Sequence, residues 1–224
     1  MNRTADASLV ARLEILDSCA VSDALDSLGL PPAVAGIAPL SLRKRIAGPV
    51  RTVKLGREKP AAGPVRHLGT AAIEAAAPGD VIVVAHSSGV ECAGWGGVLS
   101  SAALIRGVSG VVVDGPARDV DEAAALGFPI FARSADPRTA RGRVYEQDFD
   151  CRIEIAGLSV EPGDLVVADS TGVAFIPSAS AAEIVRRAER VAARERLMVE
   201  ALRRGERVTE VVGRDYEEML DRLE

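Results

Sequence analysis

The chain has 224 residues, of which 48% are hydrophobic and 26% charged, with a formal net charge of −5 at neutral pH. This length suits one large domain or two small ones, and the apolar fraction can bury a sizeable core. The acidic balance, a lone basic cluster at 42–45 (LRKR) and 3% aromatic residues argue against the concentrated basic patch and stacking platforms of nucleic-acid readers.

In chain order, residues 7–17 place Leu9, Leu13 and Leu16 on one side of a helix. Ser22 is expected to open a second helix, SDALDSLGL, with Gly29 as its stop. PPAVAGIAPL (31–40) reads as loop and GPVRTVKL (48–55) as strand. A short helix over 69–77 ends at Pro78-Gly79 and leads into the buried strand DVIVVA (80–85). GWGGVLSSAALIRG (94–107) begins with glycines and turns helical. GVVVD (110–114) is another buried strand, ARDVDEAAALG (117–127) a helix stopped by Gly127, and FPIFAR (128–133) a short strand. This alternation predicts parallel βαβ units. From 151 onward the strands are closely spaced and read as antiparallel. A long Arg- and Glu-rich helix follows over 178–204, then a short one at about 214–223. PGDVIVVAHSSGV (78–90) echoes PGDLVVADSTGV (162–173), which two ordinary turn–strand units would also explain. With no linker visible, residues 1–224 read as one α/β domain with a central mixed sheet, and 178–224 as a C-terminal helical extension.

No 18-residue window is wholly apolar, and the N-terminal residues lack the apolar core of a signal peptide. Cys19, Cys92 and Cys151 are odd in number, scattered and outside any CxxC pair, which disfavours a disulfide framework or structural zinc. A cytoplasmic protein without membrane contact is the expectation. Lysine occurs only at 44, 54 and 59, and only Lys54 sits in an apolar strand-like segment. Schiff-base chemistry therefore has few candidates. Histidine occurs only at 67 and 86, so one chain cannot supply three histidines to a metal. Oxygen ligands, and with them Mg²⁺ or Mn²⁺, would have to dominate.

Gly94, Gly96 and Gly97 precede a helix, whose first N–H groups make an anion site for a carboxylate or phosphate. A glycine-rich turn needed only for tight packing has the same sequence. Past the strand 110–114 come Arg118, Asp119, Asp121 and Glu122. They could be a helix start whose acids complement its dipole, or an arginine clamp beside a metal-binding carboxylate. If the strands at 80–85 and 110–114 are neighbours, both segments open on the same edge of the sheet, where ligands of parallel α/β proteins bind.

Twenty residues separate Gly97 from Arg118. The glycine turn, that spacing and Arg118-Asp119-x-x-Glu122 resemble the RraA-like family, which includes the class II aldolases for 4-hydroxy-4-methyl-2-oxoglutarate and 4-carboxy-4-hydroxy-2-oxoadipate. VSDALDSLG, PGDVIVV, GVVVDGPARDVDE, GFPIFAR and PGDLVVADSTGVAFIP extend the resemblance over most of the chain. It implies the swivelling β/β/α fold and a trimer or hexamer. The backbone of Gly96, Gly97, Val98 and Leu99 would bind the substrate carboxylate, Arg118 the oxygen near the scissile bond, and Asp119 a divalent cation (Mg²⁺ or Mn²⁺). Glu122 would support this set, and so would a glutamate from a neighbouring subunit's C-terminal region. Glu195 is the choice here, with Glu189 and Glu200 also open and a solvated helix face the ordinary alternative. The implied activity is release of pyruvate from a 4-hydroxy-2-oxo diacid, with oxaloacetate decarboxylation beside it. The rival within the family is a protein regulator of RNase E. A methyltransferase finds no support, since no glycine-rich nucleoside loop is visible.

Overall fold

The computed structural model describes residues 7–31, 33–60, 66–86 and 88–212, so the short helix expected at about 214–223 lies outside them. The fold is mixed α/β, built on an eight-stranded sheet. Its parallel half comprises β2 (Ile46–Gly56), β3 (Val81–His86), β4 (Gly110–Ala117) and β5 (Ile130–Ala135). The two-residue β1 (Ala38–Pro39) pairs antiparallel with β5, inside a segment expected to be loop. The helices of the βαβ crossovers are α3 (Thr70–Ala75), α4 (Gly97–Ile105) and α5 (Val120–Leu126).

The long strand β2 joins the two halves of the sheet. Its first residues pair antiparallel with β9 (Leu165–Ala168) and its last with β6 (Tyr145–Phe149), while residues 50–55 pair parallel with β3. A hairpin carries β9 into β10 (Val173–Ile176), and a detached hairpin pairs β7 (Ile153–Ile155) with β8 (Leu158–Val160). The antiparallel region expected after residue 151 is thus these two hairpins. Strand β6 was not legible in the sequence: YEQDF is polar, buries little and pairs only with β2.

Alternation along the strands sends side chains into separate apolar clusters. Ile82, Val84, Val111 and Val113 pack under α3, α4 and α5 with Trp95 and Phe128. Val81, Val83, Val112 and Val166 pack under the β7–β8 hairpin. Burial on both faces is why these strands read as continuous apolar runs rather than alternating ones. A third cluster joins α1 (Ala7–Glu14), α2 (Ser18–Asp26) and the first half of α6 (Ala181–Arg203), through Leu13, Leu25, Ile184 and Val185, to Leu165 and Val167. The beginning of the C-terminal segment is therefore part of the core. Farther along, α6 packs against α7 (Val208–Val211), through Ala201, Val211, Leu197 and Met198.

Helix α2 starts one turn before the expected Ser22. Asp17 caps it, accepting from the Ala20 amide at 2.8 Å, and Ser22 lies inside the helix with its hydroxyl turned to the Ala33 amide at 3.3 Å. The two PGD turns are built alike. Gly79 and Gly163 sit at φ +91° and +87°, where glycine alone is free of strain, and Asp80 and Asp164 each accept from the amide three residues back at 2.9 Å. The two turn–strand units thus place β3 and β9 against the same strand, β2.

Asp169 ties α2 to the β9–β10 hairpin. Its carboxylate accepts from the Ser18 amide at 2.8 Å and the Ser18 hydroxyl at 2.7 Å, and from the Thr171 amide at 2.9 Å. Burial opposes the charge, but these bonds outweigh it and hold the carboxyl below the usual carboxylate range. Asp169→Ala should therefore lower unfolding stability at neutral pH by about 1–3 kcal/mol in denaturant titrations. Because the folded pKa is depressed, that difference should be complete above about pH 4 and shrink as pH falls below it.

Candidate active site

Strands β3 and β4 pair in register from Val81–Gly110 to Ala85–Asp114, so their C-terminal ends open together. Strand β4 continues to Ala117, past the expected end at Asp114, and α5 starts only at Val120. Pro116, which favours extended backbone, and a register shift between Val113 and Pro116 carry the strand onward. Arg118 and Asp119 thus stand between strand and helix.

His86 sets the distance between the two strand ends. It is buried, and a Cβ added at Gly94 or Gly115 would come within 2.6 or 2.7 Å of it, so only glycine fits at either position. Its Nε2 lies 2.9 Å from the Cys92 carbonyl and donates to it, leaving Nδ1 to accept from the Ser88 hydroxyl at 3.2 Å. His86 is committed to this packing and is no metal ligand. Trp95 fixes the next step: its ring stacks on Phe128 at 6.4 Å between centroids, and its Nε1–H donates to the Ser100 hydroxyl at 3.0 Å.

Two backbone bonds then bring the glycine turn onto the β4 end, from Gly94 N–H to the Pro116 carbonyl (2.8 Å) and from Arg118 N–H to the Trp95 carbonyl (3.0 Å). Asp119 completes the contact. Its Oδ2 accepts from the Gly97 amide at 2.8 Å, with the Arg118 Nε 3.4 Å away. To reach across, Asp119 adopts φ 57°, ψ 39° and does not cap its own helix. A Cβ at Gly96 would meet Oδ2 at 2.8 Å, and one at Gly97 would meet the Asp119 Cβ at 3.1 Å, which explains the glycine pair.

The first turn of α4 has its Gly97 amide on Asp119, and the Ser100 amide returns to the Gly96 carbonyl at 3.0 Å. The amides of Val98 and Leu99 remain as donors at the positive end of the helix. Gly96, Gly97, Val98, Leu99, Arg118 and Asp119 all line one cavity of about 400 Å³. The structure thus brings six of the sequence-derived site residues together. Glu122 and Glu195 do not join them: both are exposed, Glu122 on α5 and Glu195 on α6, and neither lines the cavity.

Of the remaining wall, sequence reasoning reaches only the 133–148 segment, whose arginines suit a polyanionic substrate, and misses residues 66–68. Arg66, His67 and Leu68 line it, as do Thr139, Ala140, Arg141, Gly142, Val144 and Tyr145. The second group lies in the arginine-rich 133–148 segment, whose charge was the available signal. The first had none. Behind this wall Glu146 is buried and accepts from the Gly69 amide at 2.7 Å, and burial pushes its carboxyl up.

Asp119 is the only carboxylate among the described lining residues, and no described group of three His, Cys, Asp or Glu could hold a metal. The donor set nonetheless fits a hard cation. Mg²⁺ and Mn²⁺ accept one carboxylate with substrate and water oxygens completing the shell, and Oδ1 carries no hydrogen bond among the described residues. None of the three lysines lines the cavity. Lys54 belongs to a second cavity on the opposite face of the sheet, beside Asp114 and Arg152.

The family model described as "RraA-like: Aldolase/RraA" matches residues 18–175. Protein DlpA of Legionella pneumophila is 33% identical over 181 residues, which are 80% of this chain but 29% of that protein's length. A Halalkalibacterium halodurans protein named "Putative 4-hydroxy-4-methyl-2-oxoglutarate aldolase" is 32% identical over 83% of this chain and 84% of its own. The crystal structure of Streptomyces coelicolor RraAS2, titled an unusual member of the RNase ES inhibitor RraA protein family, superposes with a TM-score of 0.77 at 29% identity, covering 87% of this chain and 98% of that one. With its sheet, glycine turn and Arg-Asp pair in this arrangement, the chain belongs to the RraA-like family.

Proposed function

We propose that the protein is a cytoplasmic, divalent-metal-dependent lyase that cleaves a 4-hydroxy-2-oxo diacid to pyruvate and a second carbonyl acid, with oxaloacetate decarboxylation as a side activity. The observation that carries this reading is the convergence of Arg118, Asp119 and the free amides of Val98 and Leu99 on one cavity that no lysine lines. Retro-aldol cleavage and decarboxylation both leave the enolate of pyruvate, so both need an electron sink at the 2-oxo group. Without a lysine to form a Schiff base, that sink must be electrostatic.

Asp119 would hold Mg²⁺ or Mn²⁺, which when bound supplies Lewis acidity to the 2-oxo oxygen. The Val98 and Leu99 amides take the 1-carboxylate at the helix N-terminus. In the aldol case a water in the cavity takes the 4-hydroxyl proton as the C3–C4 bond breaks, C4 becomes the second carbonyl, and the bonding pair moves toward the 2-oxo oxygen. Arg118 places its guanidinium where that negative charge develops. Protonation at C3 then gives pyruvate. The apolar walls of Leu68, Trp95 and Val144 keep bulk water from the developing charge.

One carboxylate is a lean inventory for this chemistry, and Glu195 is proposed to add a second from a neighbouring copy in a homotrimer or hexamer. Helix α4 supports such assembly. Beside the cavity it leaves Val98 and Ile105 82% and 85% exposed, with Leu104 and Leu126 also at the surface. A second copy of the chain is the occupant proposed for this face, since it would cover the apolar surface and supply the missing acid.

The likeness to RraAS2 favours one alternative, a non-catalytic regulator that binds an RNase E-type nuclease. Purified protein with Mg²⁺ or Mn²⁺ should release pyruvate from a panel of 4-hydroxy-2-oxo diacids and oxaloacetate, and a chelator should abolish the release. No release from any of them, together with inhibition of the nuclease in a mixed assay, would establish the regulator instead.

If the lyase reading holds, Asp119→Asn, which tolerates the left-handed backbone, should cut kcat/KM on the order of 10²-fold or more while thermal melts stay close to those of the unaltered protein. Arg118→Lys should cost about 10²-fold, because a point charge cannot reproduce the planar fork. Near-normal kcat/KM in either variant refutes the role given to that residue. Ile105→Asp should reduce the assembly size measured by light scattering, and pyruvate release should fall with it as Glu195 is withdrawn from the site.

A further inference from the structure

The cavity carries more positive charge than its chemistry at one end requires. Arg66, Arg118 and Arg141 line it against the single described carboxylate of Asp119. Arg118 stands beside Asp119, but Arg66 and Arg141 come from the opposite wall. Like charges gathered in one concave site repel each other unless an anion joins them. We propose that Arg141 and Arg66 read a second carboxylate at the far end of the substrate. This assignment rests on the lyase reading, in which the first carboxylate and the 2-oxo group sit at α4 and Arg118.

The loop bearing Arg141 holds three arginines, and their partners separate their roles. Arg138 is fully engaged, with Asp136 at 2.6 Å and Glu91 at 3.0 Å. The Arg143 Nη1 donates to the Thr139 carbonyl at 2.9 Å and braces the loop from within. Arg141 lines the cavity, is exposed, and has no carboxylate within salt-bridge distance among the described residues.

The loop is also fixed relative to Arg118. The Ala93 amide donates to the Arg138 carbonyl at 2.9 Å, and Ala93 forms a parallel bridge with Thr139. Ala93 directly precedes Gly94, so the stretch bearing Arg141 is stitched to the turn that presents the Val98 and Leu99 amides. Arg66 is held in another way. Its guanidinium lies over the Phe149 ring, 5.5 Å from the centroid, and stacking of this kind leaves the edge N–H groups directed outward for a planar carboxylate. One arginine stacked on Phe149 and one carried by a loop stitched to Ala93, both lining the same cavity of about 400 Å³ as Arg118, suit a short diacid better than a monoacid with an apolar tail.

The test compares 4-hydroxy-2-oxoglutarate with 4-hydroxy-2-oxopentanoate, in which a methyl group replaces the second carboxylate. The unaltered protein should prefer the diacid by about 10²-fold or more in kcat/KM, because the methyl group of the monoacid forfeits the charge-assisted bonds to both guanidiniums. Arg141→Met should reduce that ratio by at least tenfold, mainly through a higher KM for the diacid, and Arg66→Met should act in the same direction. Arg118→Lys, by contrast, should lower kcat/KM for both substrates and leave the ratio nearly unchanged. Equal losses on both substrates in the Arg141 and Arg66 variants, or no preference in the unaltered protein, overturn the assignment while the lyase reading stands. Release of pyruvate from neither substrate by the unaltered protein overturns both.

Discussion

The hydrogen bond from the Gly97 amide to Asp119 is the constraint on which the site depends. It joins the end of β4 to the start of α4, two points separated by a whole crossover. An ordinary N-cap keeps extended backbone and turns its side chain onto its own helix. Asp119 does neither: it takes the left-handed conformation at φ 57° and reaches for another helix. A non-glycine residue held there carries strain of about 1–3 kcal/mol, offset here by the charge-assisted bond to Gly97. A residue serving only to start α5 would have no reason to adopt this geometry. The strain is understandable if the carboxylate has to be aimed, with one oxygen anchored and the other turned to the cavity.

Around that bond the glycines divide their work. Gly94 and Gly115 make room for His86, which spaces the strand ends, while Gly96 and Gly97 make room for Asp119 itself. The turn that resembles a generic anion loop is therefore shaped first by packing. What the packing leaves unbonded is the pair of amides at Val98 and Leu99, to which the proposed carboxylate site is assigned. The packing reading of the glycine turn thus holds at Gly94, Gly96 and Gly97, and the anion-site reading is the one proposed for the Val98 and Leu99 amides of the same stretch.

Most of the parallel half of the sheet was legible, because strands buried on both faces leave uninterrupted apolar runs such as VIVVA and VVV, each bounded by turn signals. The echo of the two PGD segments was also informative, since each holds a glycine turn and a buried aspartate that closes it. Legibility failed where tertiary contact overrides local pattern. Strand β6 exists only because β2 offers an edge to a polar segment. Helix α5 begins at Val120 rather than 117 because Asp119 is drawn across to Gly97. The wall containing Arg66 and His67 left no sequence signal, for nothing local links it to residues 94–119. Glu122, expected to support the set around Asp119, is exposed on α5 and does not line the cavity, since Asp119 stands before that helix rather than on it.

The family contains both catalysts and regulators, and fold alone does not separate them. Their physical demands on this chain differ. A regulator that docks by its outer surface needs the shape of α4 and α6 but draws nothing from an inward-facing carboxylate. It draws nothing either from arginines on opposite walls of a concavity only about 400 Å³ in size. Such a cavity admits a small molecule and excludes a folded partner. The features that are costly to maintain here, a strained Asp119 and three arginines gathered in one concavity, all line it. Cost concentrated in a small-molecule cavity is what selection for chemistry leaves behind, and it weighs toward the lyase even though the same fold can serve as a docking platform.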